Sequence, residues 1–165
     1  MITRAAKLML VAGIAIFYAL VVFNNLTDFD SNYQFVRHVL AMDTTFPGNH
    51  GMWRALPSHR WQLAFYLSII AWEIANTILL WWGVGRMLRA IRLPSSAFNA
   101  AKGVPVLALT LSMSMWLVAF LSVGAEWFLM WQSRIWNGQE AAFRMFTVVG
   151  LVLLILLQPD AEAQP

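Results

Sequence analysis

The chain has 165 residues, of which 60% are hydrophobic and only 12% charged, with a formal net charge of +3 and no cysteine. Soluble domains carry about a quarter charged residues, so the composition excludes an ordinary soluble domain and predicts an all-α polytopic membrane protein set in the lipid bilayer. The pI of 9.8 then reflects topology rather than a nucleic-acid partner, and the missing thiols exclude disulfides, thiolate metal sites and covalently attached haem.

Four apolar runs follow in chain order, at 8–23, 63–84, 104–125 and 141–157, each near the roughly 17 to 25 residues that cross a bilayer. They predict a four-transmembrane-helix bundle forming one membrane domain over 1–165, with helices near 7–25, 59–92, 96–130 and 138–158. Arg4 and Lys7 precede the first run as in a signal peptide. No small-residue cleavage site follows, because the run passes straight into Asn24, Asn25 and Leu26, so an uncleaved helix is expected.

Segment 26–58 is the one long connection. Ser31 or Asn32 can cap a short helix ending at Met42, with Phe35, Val36, Val39 and Leu40 on its apolar side. Pro47 and Gly48 mark a turn, and Pro57 with Ser58 reads as the start of the second membrane helix. A partly helical, ordered outer cap is therefore expected. Arg86, Arg89 and Arg92 recur along one face of the second helix until Pro94 stops it, and Ser95 or Ser96 can cap the third. Pro105 predicts a kink within the third helix or where it meets the membrane, and Asn137 can cap the fourth.

Placing Arg4, Lys7, Arg86, Arg89, Arg92 and Lys102 on the cytoplasmic side satisfies the positive-inside rule and leaves Arg37, Arg54, Arg60 and Arg134 outside. Both termini are then cytoplasmic, with the acidic tail residues Asp160 and Glu162. His38, His50 and His59 all fall in the outer segment, and their spacing with Asp43 matches no compact ligand motif. No histidine lies within a span, so no haem and no metal cofactor is expected.

Glu73 stands near the centre of the second apolar run. A carboxyl there is costly in lipid, must face protein or water, and is by default a candidate functional group. At 100° per residue, Gln62, Tyr66, Glu73, Asn76 and Thr77 fall within an arc of roughly 100° on the same helix. On the third helix Ala108, Ser112, Met115, Ala119, Ser122 and Glu126 lie within roughly 40° of one line. On the fourth, Arg144 and Thr147 share an arc with Gln158. These lines predict a polar seam comprising Gln62, Tyr66, Glu73, Asn76, Thr77, Ser112, Ser122, Glu126 and Arg144. Arg144 needs a partner, and Glu126, Glu73 and Glu140 are in range; snorkelling toward the nearer interface favours Glu126. Such a pair reads first as a staple between two helices. Glu73 itself reads either as an interhelical clasp or as a proton relay.

The stretches NNLTDFDSNYQFVRHVLAMDTTFPGNHGMW at 24–53 and GAEWFLMWQSRIWNGQEAAFR at 124–144, with AWEIAN around Glu73 and FNAAKG at 98–103, resemble the bacterial DUF2165 family of predicted small integral membrane proteins. The resemblance implies a multi-pass protein of a bacterial inner membrane and carries over no catalytic residue. The leading functional reading is an accessory or assembly subunit of a larger inner-membrane complex, since the chain is small, shows no recognisable active site and offers small-residue faces such as Ala71 and Ala75. A membrane protein partner or a homo-oligomer would follow. Two other readings stay open: a small proton-linked transporter or channel using Glu73, and a lipid or quinone binding protein with its site under the outer cap.

Overall fold

The computed structural model describes residues 1–161 and is all helical, with no strand among the described residues. Four stretches are long and apolar enough to cross a bilayer, Ile2–Thr27, His59–Ala90, Ser95–Trp127 and Gln139–Leu157. The chain is an integral membrane protein. Helix α1 is Ile2–Thr27, the short α2 is Phe29–Ala41, and α3 is His59–Ala90. The third crossing is built from α4 (Ser95–Ala101), α5 (Gly103–Ser114) and a wider-pitched continuation, Met115–Trp127; α6 is Gln139–Leu157.

Both ends of the bundle are tied by side chains reaching backbone. At the end where the N-terminus lies, Arg4 Nη1 donates to the carbonyls of Ile91 and Leu93 in the turn that ends α3, supplying donors to carbonyls that a helix leaves unpaired at its C-terminus. At the opposite, loop end, the segment after α2 is held by a bond from Leu56 N to Leu40 O at 2.8 Å and from Thr44 Oγ1 to Ser133 Oγ at 2.8 Å. Arg54 donates to the carbonyls of Glu126 and Trp127 and stacks against the Trp53 and Trp127 rings. The expected turn is present: Gly48 has φ +77°, a left-handed conformation glycine adopts without a Cβ penalty, and Asn49 N donates to Phe46 O.

Two apolar cores stack along the bundle. Val11, Ile14, Leu80, Met87, Leu109 and Val149 belong to one that joins α1, α3, α5 and α6. The second, at the loop end, packs Val36, Val39 and Leu40 of α2 with Tyr66, Ile70 and Phe128. Helices α3 and α5 approach closely at Gly83, where an added Cβ would lie 2.8 Å from Pro105 Cδ. Pro105 sits in the first turn of α5, where its missing N–H leaves no helix bond unmade. The interruption expected near it comes before it, at Lys102 between α4 and α5.

Three local expectations differ from the structure. Ser31 and Asn32 do not cap α2, which starts at Phe29, before either of them. Pro94 precedes the first turn of α4, so Ser95 lies within the helix. Asn137 stands one residue before the cap position, Gly138, yet its Oδ1 accepts from Gln139 N at 3.1 Å and so serves the same exposed donors.

The widened segment has a consequence for which faces are buried. Phe128 N donates to Val123 O, and Ser122 Oγ donates to Leu117 O, each reaching five residues back. Such a helix turns less per residue than an α-helix. A stripe laid out at 100° per residue therefore holds through Ser112 and Met115 and then drifts off the interior.

Candidate functional site

Glu73 is only 4% exposed, and its Oε2 accepts a hydrogen bond from Asn25 Nδ2 at 2.6 Å. Asn25 is the hub. Its Oδ1 accepts from Asn32 Nδ2 at 2.7 Å and from the Tyr66 hydroxyl at 3.1 Å, so one amide joins α1, α2 and α3. The α2 side of this joint is aromatic: the Phe29 ring lies 4.8 Å from that of Tyr66, and the Tyr33 hydroxyl shares a 2.6 Å hydrogen bond with His59 Nδ1. Thr77 Oγ1 donates to Glu73 O, which keeps that hydroxyl on its own helix.

Asn76 lies one turn further along α3. It is fully buried, and neither Oδ1 nor Nδ2 has a hydrogen-bond partner among the described residues. A buried amide without partners is expensive, on the order of 1–3 kcal/mol. A second polar group, on α1 and the third crossing, joins the Tyr18 hydroxyl to Ser112 Oγ, and Trp116 Nε1 donates to the same hydroxyl at 3.0 Å.

The polar joint faces a cavity of about 260 Å³ lined by Asn25, Asn32, Tyr66, Trp116 and Phe120, with Phe35 from α2. Ile69 lines this cavity, a smaller apolar one beneath α2, and a groove of about 240 Å³ between α3 and the third crossing that includes Ser68, Trp72 and Val118. Trp72 and Val118 are exposed on the outside of the bundle. Ile69 is thus a wall common to the outer groove, the apolar space beneath α2 and the cavity at the polar joint.

Of the residues the sequence singled out, Gln62, Tyr66, Glu73, Asn76 and Ser112 are buried and Thr77 is half-buried. Gln62 is separate from the joint: its Nε2 donates to Leu56 O and anchors the loop to the start of α3. Ser122, Glu126 and Arg144 lie on the outside. The ion pairs among the described residues, Lys7 with Asp160, Lys102 with Asp160 and His38 with Asp43, include neither Glu126 nor Arg144. The expected Arg144 staple is therefore not formed within the chain. For Ser122 and Glu126 the reason is the widened helical pitch. For Arg144 it is the packing of α6, which turns Ala142, Val149, Val152 and Leu156 inward and leaves the arginine on the other side.

Sequence reasoning missed Asn25, the partner of Glu73, and Asn32, which donates to Asn25. The signal Asn25 carries in the sequence is that of an amide closing an apolar run. Lys7, Lys102 and Asp160 form the other unanticipated cluster. Glu162 of the expected acidic tail lies outside the described residues.

Neither a curated protein nor a solved structure matches the chain. One protein family does, over residues 3–159, under the description predicted small integral membrane protein (DUF2165). With almost the whole length matched, the chain belongs to the DUF2165 family.

Proposed function

We propose that the protein binds a lipophilic molecule whose head bears hydrogen-bonding oxygens, a quinone or a lipid of similar chemistry, at the Asn25 joint. The observation that carries this reading is that Ile69 lines both the outer groove at Trp72 and the cavity at Asn25, Asn32 and Tyr66, with a smaller apolar space between α2 and the same residue. Membrane ligand sites combine apolar walls with a few fixed polar groups, and here the walls are reached sideways from the bilayer. Asn25 is held by Glu73, Tyr66 and Asn32, so its orientation is set before a ligand arrives.

A through-path for protons is less well supported. From Tyr18 to Lys7 the α1 axis rises about 16 Å at 1.5 Å per residue, and the core at that level is Val11, Ile14, Leu80, Met87, Leu109 and Val152. Organic extracts of the purified protein should contain a lipophilic compound in near-stoichiometric amount, and an Asn25→Leu variant of native helicity should lose it. Identical extracts from the two proteins would overturn the reading.

The accessory-subunit reading is favoured by a different observation. Arg144 lies five residues into α6 and Glu126 near the outer end of the third crossing, both exposed and without an ion-pair partner among the described residues. Charges on the outside of membrane helices are stabilised by a neighbouring protein or by the interface. Co-purification in mild detergent that is lost on Arg144→Ala would support a partner subunit, whereas a lone monomer at every concentration counts against one.

A further inference from the structure

At the opposite end of the bundle, Lys7 and Lys102 point at the same two acceptors. Each Nζ donates to Gln158 O, at 2.6 Å and 2.8 Å, and each pairs with Asp160 Oδ2. Asn99 grips the Asp160 backbone from both sides: its Oδ1 accepts from Asp160 N and its Nδ2 donates to Asp160 O, each at 3.1 Å. The side chains of both lysines are only 7% exposed and that of Asp160 5%. Two nearly buried ammonium groups thus share one carboxylate.

Arg4 adds a third cation beside them, over the Phe98 ring. Counting Lys7, Lys102 and Arg4 against Asp160 leaves a formal excess of two positive charges. The C-terminal end of α6 contributes only about half a negative charge, so among the described residues the cluster is cationic. A cavity of about 660 Å³ opens directly on it, lined by Thr3, Arg4, Lys7, Gln158 and Asp160. Taking positive charge out of water is costly unless a counter-charge is at hand.

We infer that this cavity is a binding site for a phosphate group of an anionic membrane lipid, with Lys7 and Arg4 facing the phosphate and Asp160 holding Lys7 and Lys102 in place. The cluster lies just beyond the apolar run of α1 that starts at Leu8, which is the level of lipid headgroups. Basic pockets between helices at that level are where such headgroups are held. The site is independent of the Asn25 joint and lies at the other end of the molecule.

The test is lipid retention by native mass spectrometry of full-length protein taken from nanodiscs containing equal phosphatidylglycerol and phosphatidylcholine. Wild type should retain phosphatidylglycerol selectively. Lys7→Met should reduce that preference about fivefold, the worth of one cation near an anionic headgroup; it leaves Lys102 and Asp160 as a neutral pair, so the fold survives. Lys7→Arg should keep the preference. Equal retention of the two lipids by wild type would overturn the proposal. So would a phosphatidylglycerol preference unchanged in Lys7→Met, or a preference that emerges only in Glu162→Gln, which would show that the chain's own tail supplies the counter-charge. Thermal stabilisation by inorganic phosphate without any lipid preference would reassign the site to a soluble anion.

Discussion

Asp160 is the residue on which the far end of the bundle most depends, and replacing it with asparagine tests that dependence. The carboxylate is the shared partner of Lys7 and Lys102, all three side chains being at most 7% exposed. Asp160→Asn keeps the size and the backbone grip of Asn99 but leaves two buried ammonium groups facing each other. Removing one partner of a buried pair costs about 3–5 kcal/mol. Lys102→Met removes two hydrogen bonds, about 1 kcal/mol each, and leaves a balanced Lys7 and Asp160 pair. The aspartate variant should thus be the more damaging by a clear margin, read as thermal unfolding in zwitterionic detergent without anionic lipid. Equal losses for the two variants would refute the charge argument and leave only the loss of hydrogen bonds. Acid should reproduce the effect. Burial pushes the Asp160 carboxyl up, but hydrogen bonds and charge from Lys102 and Lys7 outweigh it and hold the group below its ordinary value. A carboxyl lowered on folding contributes stability that is complete above its unfolded value, about 3.9, and is lost as pH falls through the folded value. Wild type should therefore weaken below about pH 4 in a way that Asp160→Asn does not.

At the other end, Glu73→Gln retains an oxygen for Asn25 Nδ2 and should unfold within about 1 kcal/mol of wild type, while Glu73→Leu strands that donor and should cost about 1–3 kcal/mol. Chemical or thermal unfolding distinguishes them, and equal losses would mean that the hydrogen bond is not what holds the joint. Asn76→Leu removes two buried, unpartnered polar atoms and should be neutral or stabilising; a marked loss would show that the amide has a partner in the membrane. Gly83→Val places carbon within 2.8 Å of Pro105 and should cost about 1–3 kcal/mol through overpacking, measurable as a lowered unfolding temperature.

The four spans were legible in the sequence because a bilayer demands length and hydropathy, and both are written in composition. The interior stripe of α3 was legible for a geometric reason: α3 is a regular helix over its whole length, so Gln62, Tyr66, Glu73 and Asn76 keep the spacing that brings them to one side. The same arithmetic failed on the third crossing once the pitch widened at Met115. Nothing in the apolar run of residues 115–127 announces that change. The pairing of Asn25 with Glu73 is not legible from position within either helix. On its own helix Glu73 is fourteen residues from the start, whereas Asn25 is two from the end; the two levels coincide only when α3 is allowed to extend far past α1.

That inequality of reach has a mechanical meaning. Beyond the level of Asn25, α1 has about 3 Å left and α3 about 21 Å, and α2 lies across the resulting step with its apolar side against Tyr66 and Ile70. At this corner the bundle presents a short hydrophobic edge of α1 and a long one of α3, so the surrounding lipid must thin locally or meet α2. A thicker bilayer would draw acyl chains up against α2, and a thinner one would leave it in the headgroup layer. What covers α2, the roof over the Asn25 joint, would then change with the thickness of the surrounding bilayer.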